Sequence, residues 1–495
     1  MGKHSFVVAI APILVLVSCI AAALSCSGNQ PPPSLGDSLY DASNVTQSMP
    51  DTSMPMMNVP DVTSPPPQMD GAPPSGEASD GLAGFDASDA TVCEAGQENC
   101  DGLCVSTMSD VNNCGQCGNA CGGTDSLCTA GTCSCKSGFT LCGMQCVDLT
   151  SDSANCGICT YKCQGAACVG SLCVPSQVVH NYQVVDIGVD QTNVYFTAGG
   201  TMGGVYFKPF ASASNPLAIS PIPNENIPSG LALALGATLT HVYWVDLGGG
   251  AIGVSQVIGT SYTTPQYFES AAPGAGPFGV TADATNLYWV DTVAGTVNQL
   301  PLSAMTLPGP DSGVGTPPMV LATGQAAPKA ISVDGTSVYW VNYGSALSST
   351  GSVNKVPIGG NSSQVVPIAT GESQPNDIKV DASMGDGYVY WVDQAQRLAG
   401  GAVKRAPIAG GATPTVLAAM QGAPTALYLD PNYVYWTNYD DGTVQKVPRA
   451  GAGDAGTVVP LATMQDTPKA IAVDSVNVYW SNSGPGDIWK VAKGP

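Results

Sequence analysis

A Tyr-Trp pair, usually set behind Val, recurs along the last two thirds of this chain and narrows what it can fold into more than any other feature. Val338-Tyr339-Trp340-Val341-Asn342 and Val389-Tyr390-Trp391-Val392-Asp393 are its clearest copies. The tyrosines stand at 195, 243, 288, 339, 390, 435 and 479, 44 to 51 residues apart, and Trp follows each except the first, where Phe196 stands. Self-similarity at this period means a propeller, a solenoid or an array. Each repeat carries four short strand signals. In one copy these are 330–333, 338–341, 352–356 and 365–369, punctuated by Gly, Pro and Asn. Four strands per repeat is the unit of a propeller blade.

The Tyr-Trp strand is apolar on both faces, whereas a strand with one wet face would alternate. A blade lies between two others, so Tyr can pack one way and Trp the other. The aromatics are therefore read as core. Asp190, Asp283, Asp334, Asp430 and Asp474 recur four residues before the second strand, with Asp381 displaced by an insertion. They are read as Asx-turn acceptors, since calcium needs six to eight converging oxygens. The final repeat has three strand signals before Pro495. The segment 176–180 resembles the fourth strands of other repeats. It is expected to complete the last blade and so remove an unpaired edge. The fold class is thus all-β, a seven-bladed propeller of four-stranded antiparallel blades over residues 174–495. A small disulfide-rich domain and a disordered linker precede it.

Tyr-Trp-Val-Asp and Tyr-Trp-Thr-Asn resemble the YWTD repeat of low-density-lipoprotein-receptor propellers, and similar repeats occur in exported bacterial propeller proteins. In that receptor family the acid is mainly structural, bonding across blades. The residues carried at that place here are Asp246, Asp291, Asp393, Asn342, Asn438 and Asn482.

The 18 cysteines are grouped, two before residue 30 and sixteen between 93 and 173. The sixteen form two copies of one framework. Module 1 (93–134) holds Cys93, Cys100, Cys104, Cys114, Cys117, Cys121, Cys128 and Cys133; module 2 (135–173) holds Cys135, Cys142, Cys146, Cys156, Cys159, Cys163, Cys168 and Cys173. Each copy is too small for a stable apolar core without cross-links. Four disulfides within each copy are expected, of unspecified pairing; zinc on the Cys-x-x-Cys pairs is the competing chemistry. Cys114 to Cys121 (CGQCGNAC) and Asp152 to Cys159 (DSANCGIC) resemble the stigma-specific cysteine-rich family of small secreted proteins. Thr160 departs from the pattern where module 1 has Gly118. The resemblance implies a secreted interaction module.

Residues 1–25 read as an export signal with an apolar core. Cys19 and Cys26 both follow lipobox-like stretches, with Cys26 preferred as the lipidated residue. Residues 26–92 read as a disordered linker. From residue 27 on it holds eleven prolines, nine acids and no base. The Gly36-Asp37-Ser38-Leu39 match to a lipase signature there lacks a rigid turn, a base and an oxyanion hole. A net charge of −22 without a basic stripe argues against nucleic acid as a partner.

No catalytic, metal or cofactor motif stands out, and His180 and His241 are the histidines left after the leader. The resulting expectation is a non-enzymatic, exported and membrane-tethered monomer that binds an extracellular protein or glycan. Its ligand face is built from the loops entering each first strand and leaving each Tyr-Trp strand. After the recurring prolines the residue differs between blades: Ser229, Phe278, Lys329, Asn376, Thr425, Lys469. Of these Phe278, Lys329, Asn376 and Lys469 are the candidate binding residues. The alternative is a propeller enzyme resembling virginiamycin B lyase or gluconolactonase. It would show a histidine or at least three convergent carboxylates in the channel.

Overall fold

The computed structural model describes residues 93–495 apart from 222–227, 237–238, 249, 270–274, 306–316, 345–349, 382–386, 396–399, 451–456, 485 and 495. The leader and linker, with Cys19 and Cys26, lie outside the described residues. So does the Gly36 to Leu39 match.

Seven antiparallel sheets form the blades, spanning 183–221, 228–269, 277–322, 328–372, 375–421, 424–462 and 468–492, here blades 1 to 7. The fourth strand of blade 7 is Ser176–Val179, which pairs with Asp487–Ala492 through Ile488↔Val179 and Lys490↔Ser176. The ring is therefore closed by residues about 300 positions apart in the chain.

The aromatic repeat explains the packing between blades. Tyr288 of blade 3 lies in one buried cluster with Trp340 of blade 4. The same pairing joins Tyr339 with Trp391, Tyr390 with Trp436 and Tyr435 with Trp480. It also joins Tyr195 with Trp244 and Tyr243 with Trp289. Tyr479 of blade 7 meets Phe196 of blade 1, so the series closes on itself. Six wedges are filled by the Tyr of one blade and the Trp of the next, and in the seventh Phe196 takes the place of Trp. Truncating one such ring to Ala costs about 3–5 kcal/mol.

The recurring aspartates do two jobs. Asp334 Oδ1 accepts from Thr336 N at 2.7 Å and Ser337 N at 2.8 Å, an Asx turn. Its Oδ2 accepts from Tyr339 Oη at 2.7 Å. The same tyrosine bond occurs from Asp190, Asp283, Asp430 and Asp474 to Tyr195, Tyr288, Tyr435 and Tyr479. Burial works to raise the Asp334 pKa, but these hydrogen bonds outweigh it and lower it. Asp381 departs from the expected set. Its carboxylate pairs with Arg449, whose side chain also reaches Tyr390 Oη at 3.4 Å.

All sixteen cysteines of the modules form disulfides, and every link stays inside its own module. Module 1 joins Cys93–Cys104, Cys100–Cys117, Cys114–Cys128 and Cys121–Cys133. Module 2 repeats the order with Cys135–Cys146, Cys142–Cys159, Cys156–Cys168 and Cys163–Cys173. Such cystine density belongs to an oxidising compartment. Module 2 is built into the propeller: Cys156, Tyr161, Cys163, Cys168 and Cys173 share a buried cluster with Leu461, Ala462, Val473 and Val491. Tyr161 Oη donates to Ala492 O at 2.6 Å.

Candidate functional site

The first strand of each blade lines the central channel, and its start is irregular. A register shift falls between Pro228 and Gly230, Pro328 and Ala330, Pro375 and Asp377, and Pro424 and Ala426. It also falls between Val184 and Asp186, Pro277 and Val280, and Pro468 and Ile471. A bulge leaves a residue out of the ladder and re-aims its side chain. Val185, Ser229, Phe278, Lys329, Asn376, Thr425 and Lys469 sit in these bulges. All seven line a cavity of about 610 Å³ on the propeller axis. The candidates Phe278, Lys329, Asn376 and Lys469 thus lie on one ring of the channel. Gln394 and Tyr439, which follow the second strands of blades 5 and 6, line the same cavity.

The next residue along each first strand sets how closely blades approach. Five blades carry a small residue there: Gly230, Gly279, Ala330, Ala426 and Ala470. A Cβ on Gly279 would lie 2.6 Å from Lys329 O, so the neighbouring strand needs that glycine. The other two blades carry aspartates, and these reach across. Asp186 Oδ2 accepts from Leu231 N at 2.9 Å and Asp377 Oδ2 accepts from Leu427 N at 2.9 Å. Asp377 Oδ1 also accepts from Lys379 Nζ at 2.9 Å. Burial pushes the Asp186 pKa up to about 6. These two aspartates are the carboxylates lining the cavity among the described residues, and no histidine lines it. His241 instead faces Gln256, their Nε2 atoms 3.0 Å apart, and stacks on Tyr243.

The ring residues divide by what their polar atoms do. Ser229 Oγ donates to Pro277 O at 3.0 Å, Asn376 Nδ2 to Thr425 O at 2.5 Å and Thr425 Oγ1 to Ala423 O at 3.1 Å. These bonds tie backbone to backbone and serve the fold. The ammonium groups of Lys329 and Lys469 make no hydrogen bond or ion pair among the described residues. Lys329 Nζ lies 4.3 Å from the Tyr343 ring centre and 5.9 Å from that of Phe278. Ring faces attract an ammonium, but they also exclude water from it. Burial, then the charge of Lys469, brings the Lys329 pKa down to about 8. Burial lowers the Lys469 pKa too, against the opposing pull of Asp186. Sequence comparison between blades located these residues through their variation. It gave no sign of the bulge that aims them or of the aromatic Tyr343 beside Lys329.

No family model matches the chain, and no curated protein matches it. Among solved structures, virginiamycin B lyase from Staphylococcus aureus aligns at 11% identity with a TM-score of 0.50, over 64% of this chain and 99% of that one. A chain of a nidogen/laminin complex aligns at 18% identity with a TM-score of 0.39, over 52% of this chain and 90% of that one. The computationally designed Ika8 protein aligns at 13% identity with a TM-score of 0.42, over 64% and 98%. At these identities the likeness to the lyase establishes a shared propeller fold and nothing about chemistry.

Proposed function

We propose that this chain is an exported, lipid-tethered binding protein whose propeller channel takes an acidic extracellular ligand, a glycan or a segment of protein. The observation that carries this reading is the pair of ring lysines whose ammonium groups line the cavity with no hydrogen bond or ion pair among the described residues. Removing an ammonium from water without pairing it is unfavourable, whereas Ser229 Oγ, Thr425 Oγ1 and Asn376 Nδ2 each donate to a backbone carbonyl. An anionic ligand in the channel would give both cations a hydrogen-bonded counter-ion. Perturbed ionisable groups in a cleft mark a functional site. The eight disulfides fit an exported chain.

A panel of acidic and neutral oligosaccharides and peptides, probed with the purified protein, tests the site. The bound members are expected to be acidic. Lys329→Ala combined with Lys469→Ala should reduce that binding at least tenfold without lowering the melting temperature. Binding confined to neutral members, or indifferent to both substitutions, removes the reading. The tether is tested separately: labelled palmitate should enter the wild type and be lost in Cys26→Ala or Cys19→Ala.

A further inference from the structure

The binding reading asks only for positive charge, yet Lys329 is set up differently from an ordinary charge-bearing lysine. Its Nζ lies against two aromatic rings, faces a cavity large enough for a small organic ligand, and makes no hydrogen bond or ion pair among the described residues. Lys469, on the same ring, is near enough for its charge to be felt at Lys329. A lysine becomes a nucleophile when it is desolvated or set beside another cation. Lys329 meets both conditions, and among the described residues its Nζ neither donates to an acceptor nor accepts from a donor.

We propose that Lys329 captures carbonyl compounds that also bear a carboxylate, as a reversible imine inside the channel. This rests on the binding reading, because Lys469 is assigned the carboxylate of the same ligand. In the first step the neutral Nζ attacks the carbonyl carbon, a C–N bond forms and the π electron pair moves to oxygen. A proton passes from nitrogen to that oxygen, giving a carbinolamine. The carbinolamine oxygen then takes a proton from solvent and leaves as water, giving the protonated C=N bond; addition of water with return of that proton reverses the sequence. No oxidant or reductant takes part. Both small oxo acids and the open-chain form of an acidic sugar have this pair of groups.

The ionisation of Lys329 supports the same step. A pKa of about 8 leaves roughly a tenth of the amine neutral at pH 7, some two orders of magnitude more than for an unperturbed lysine. The neutral fraction rises with pH and levels off above about 8, whereas an exposed lysine continues to gain beyond pH 10.

Trapping with sodium cyanoborohydride tests the proposal on the intact protein. Glyoxylate serves as the small oxo acid, glucuronate as the latent aldehyde and acetaldehyde as the carbonyl without a carboxylate. Peptide mapping at pH 7 should find the reduced adduct at Lys329 at least ten times faster than at the exposed Lys136 and Lys162. Glyoxylate should outpace acetaldehyde at Lys329 alone. Lys469→Met should slow trapping at pH 7 and move its pH midpoint upward, because the neighbouring charge is gone. Lys329→Arg should abolish the selective adduct. Equal labelling of Lys329 and the exposed lysines overturns the imine. Binding of the acidic panel by the same preparation separates the two readings. Binding without selective trapping overturns the imine alone, and failure of both overturns the site. Selective trapping with no panel binding upholds the imine and removes the proposed extracellular ligand.

Discussion

Blades 4, 6 and 7 complete their Tyr-Trp strands with neutral amides, and blade 5 completes the same place with charge. In blade 4 Gln325 Oε1 accepts from Trp340 Nε1 and from Asn342 Nδ2, each at 3.0 Å. Gln421 does the same for Trp436 and Asn438 at 2.9 and 2.8 Å, and Gln465 for Trp480 and Asn482 at 3.0 and 3.2 Å. In blade 5 the acceptor is Glu372, at 3.1 Å from Trp391 Nε1, and Asp393 replaces the asparagine. Lys404 Nζ bridges the two acids, 2.8 Å from Glu372 and 2.6 Å from Asp393. The geometry of the repeat is kept while its electrostatics are inverted. Two neutral partners need no counter-ion, but two buried carboxylates require either a cation or a shared proton.

Blade 5 uses both. Burial, then a hydrogen bond and repulsion from Glu372, push the Asp393 pKa up to about 7 despite Lys404. Burial works against the charged form of Lys404, but the bonds to Asp393 and Glu372 outweigh it and raise its pKa. The same blade holds Asp377 with Lys379 in the channel, and its Tyr390 Oη lies 3.4 Å from Arg449 Nε. Blade 5 is therefore expected to respond to pH at a position where blades 4 and 6 on either side carry neutral amides.

Removing the cation should sharpen the contrast most. Lys404→Met leaves two carboxylates, 7% and 3% exposed, without their partner. The expected loss is about 3–5 kcal/mol near pH 8 by chemical denaturation. It should shrink near pH 5, where Asp393 takes up a proton. A loss that is the same at both pH values would mean that the acids do not share charge.

Placing an acid in a neutral blade is expected to do less. Gln421→Glu keeps the acceptor for Trp436 but loses the bond from Gln421 Nε2 to Ala419 O at 2.9 Å, setting oxygen against oxygen. A cost of about 1–3 kcal/mol at pH 8, partly recovered at pH 5, is expected.

Much of this was legible in the sequence and some was not, for physical reasons. The spacing of Tyr195 to Tyr479 gave the blades because every wedge needs the same two rings. Asp334 and its equivalents could be read as turn residues, since an Asx turn is local. Their second bond, to the tyrosine five residues on, was within reach of the same local reasoning and was missed. Gln325, Glu372, Gln421 and Gln465 each stand three residues before a recurring proline. That signal was present, but amides carry no obvious chemistry. The position of Lys329 was visible as variation between blades, whereas its lack of a partner depends on groups from blades 3 and 4. The docking of module 2 could not be foreseen either. It turns on Tyr161, where module 1 has Asn119, whose Nδ2 donates to Cys114 O within its own module.

The wild-type protein should show blade 5 in its melting curve. Asp393 has a folded pKa near 7, above the ordinary carboxylate value near 4. Between these values the native state holds a proton that the unfolded chain has released. The stabilisation is complete below about pH 4 and is lost as pH rises through about 7. Asp186 acts with the same sign, but its window ends near pH 6. Melting temperature is thus expected to fall between pH 5 and 8, with the portion above 6 belonging to Asp393.

The smallest expected change comes from making blade 5 neutral. Glu372→Gln, Asp393→Asn and Lys404→Gln together copy Gln421, Asn438 and Gln445 of blade 6. Trp391 keeps an acceptor and the asparagine gains one, while Ala402 stands where Thr443 accepts from Gln445 in blade 6. Replacing a buried charge cluster by well-matched neutral groups is often neutral or mildly stabilising, so stability at pH 7 should stay within about 1 kcal/mol of the wild type or rise. The diagnostic is the slope. Between pH 6 and 8 the melting temperature of the triple variant should be nearly flat, while the Asp186 decline between 5 and 6 remains. If the upper decline persists, the proton is held elsewhere and blade 5 is not the sensor. If the variant is flat but unstable, the charges are needed for packing in blade 5 as well as for its response to pH.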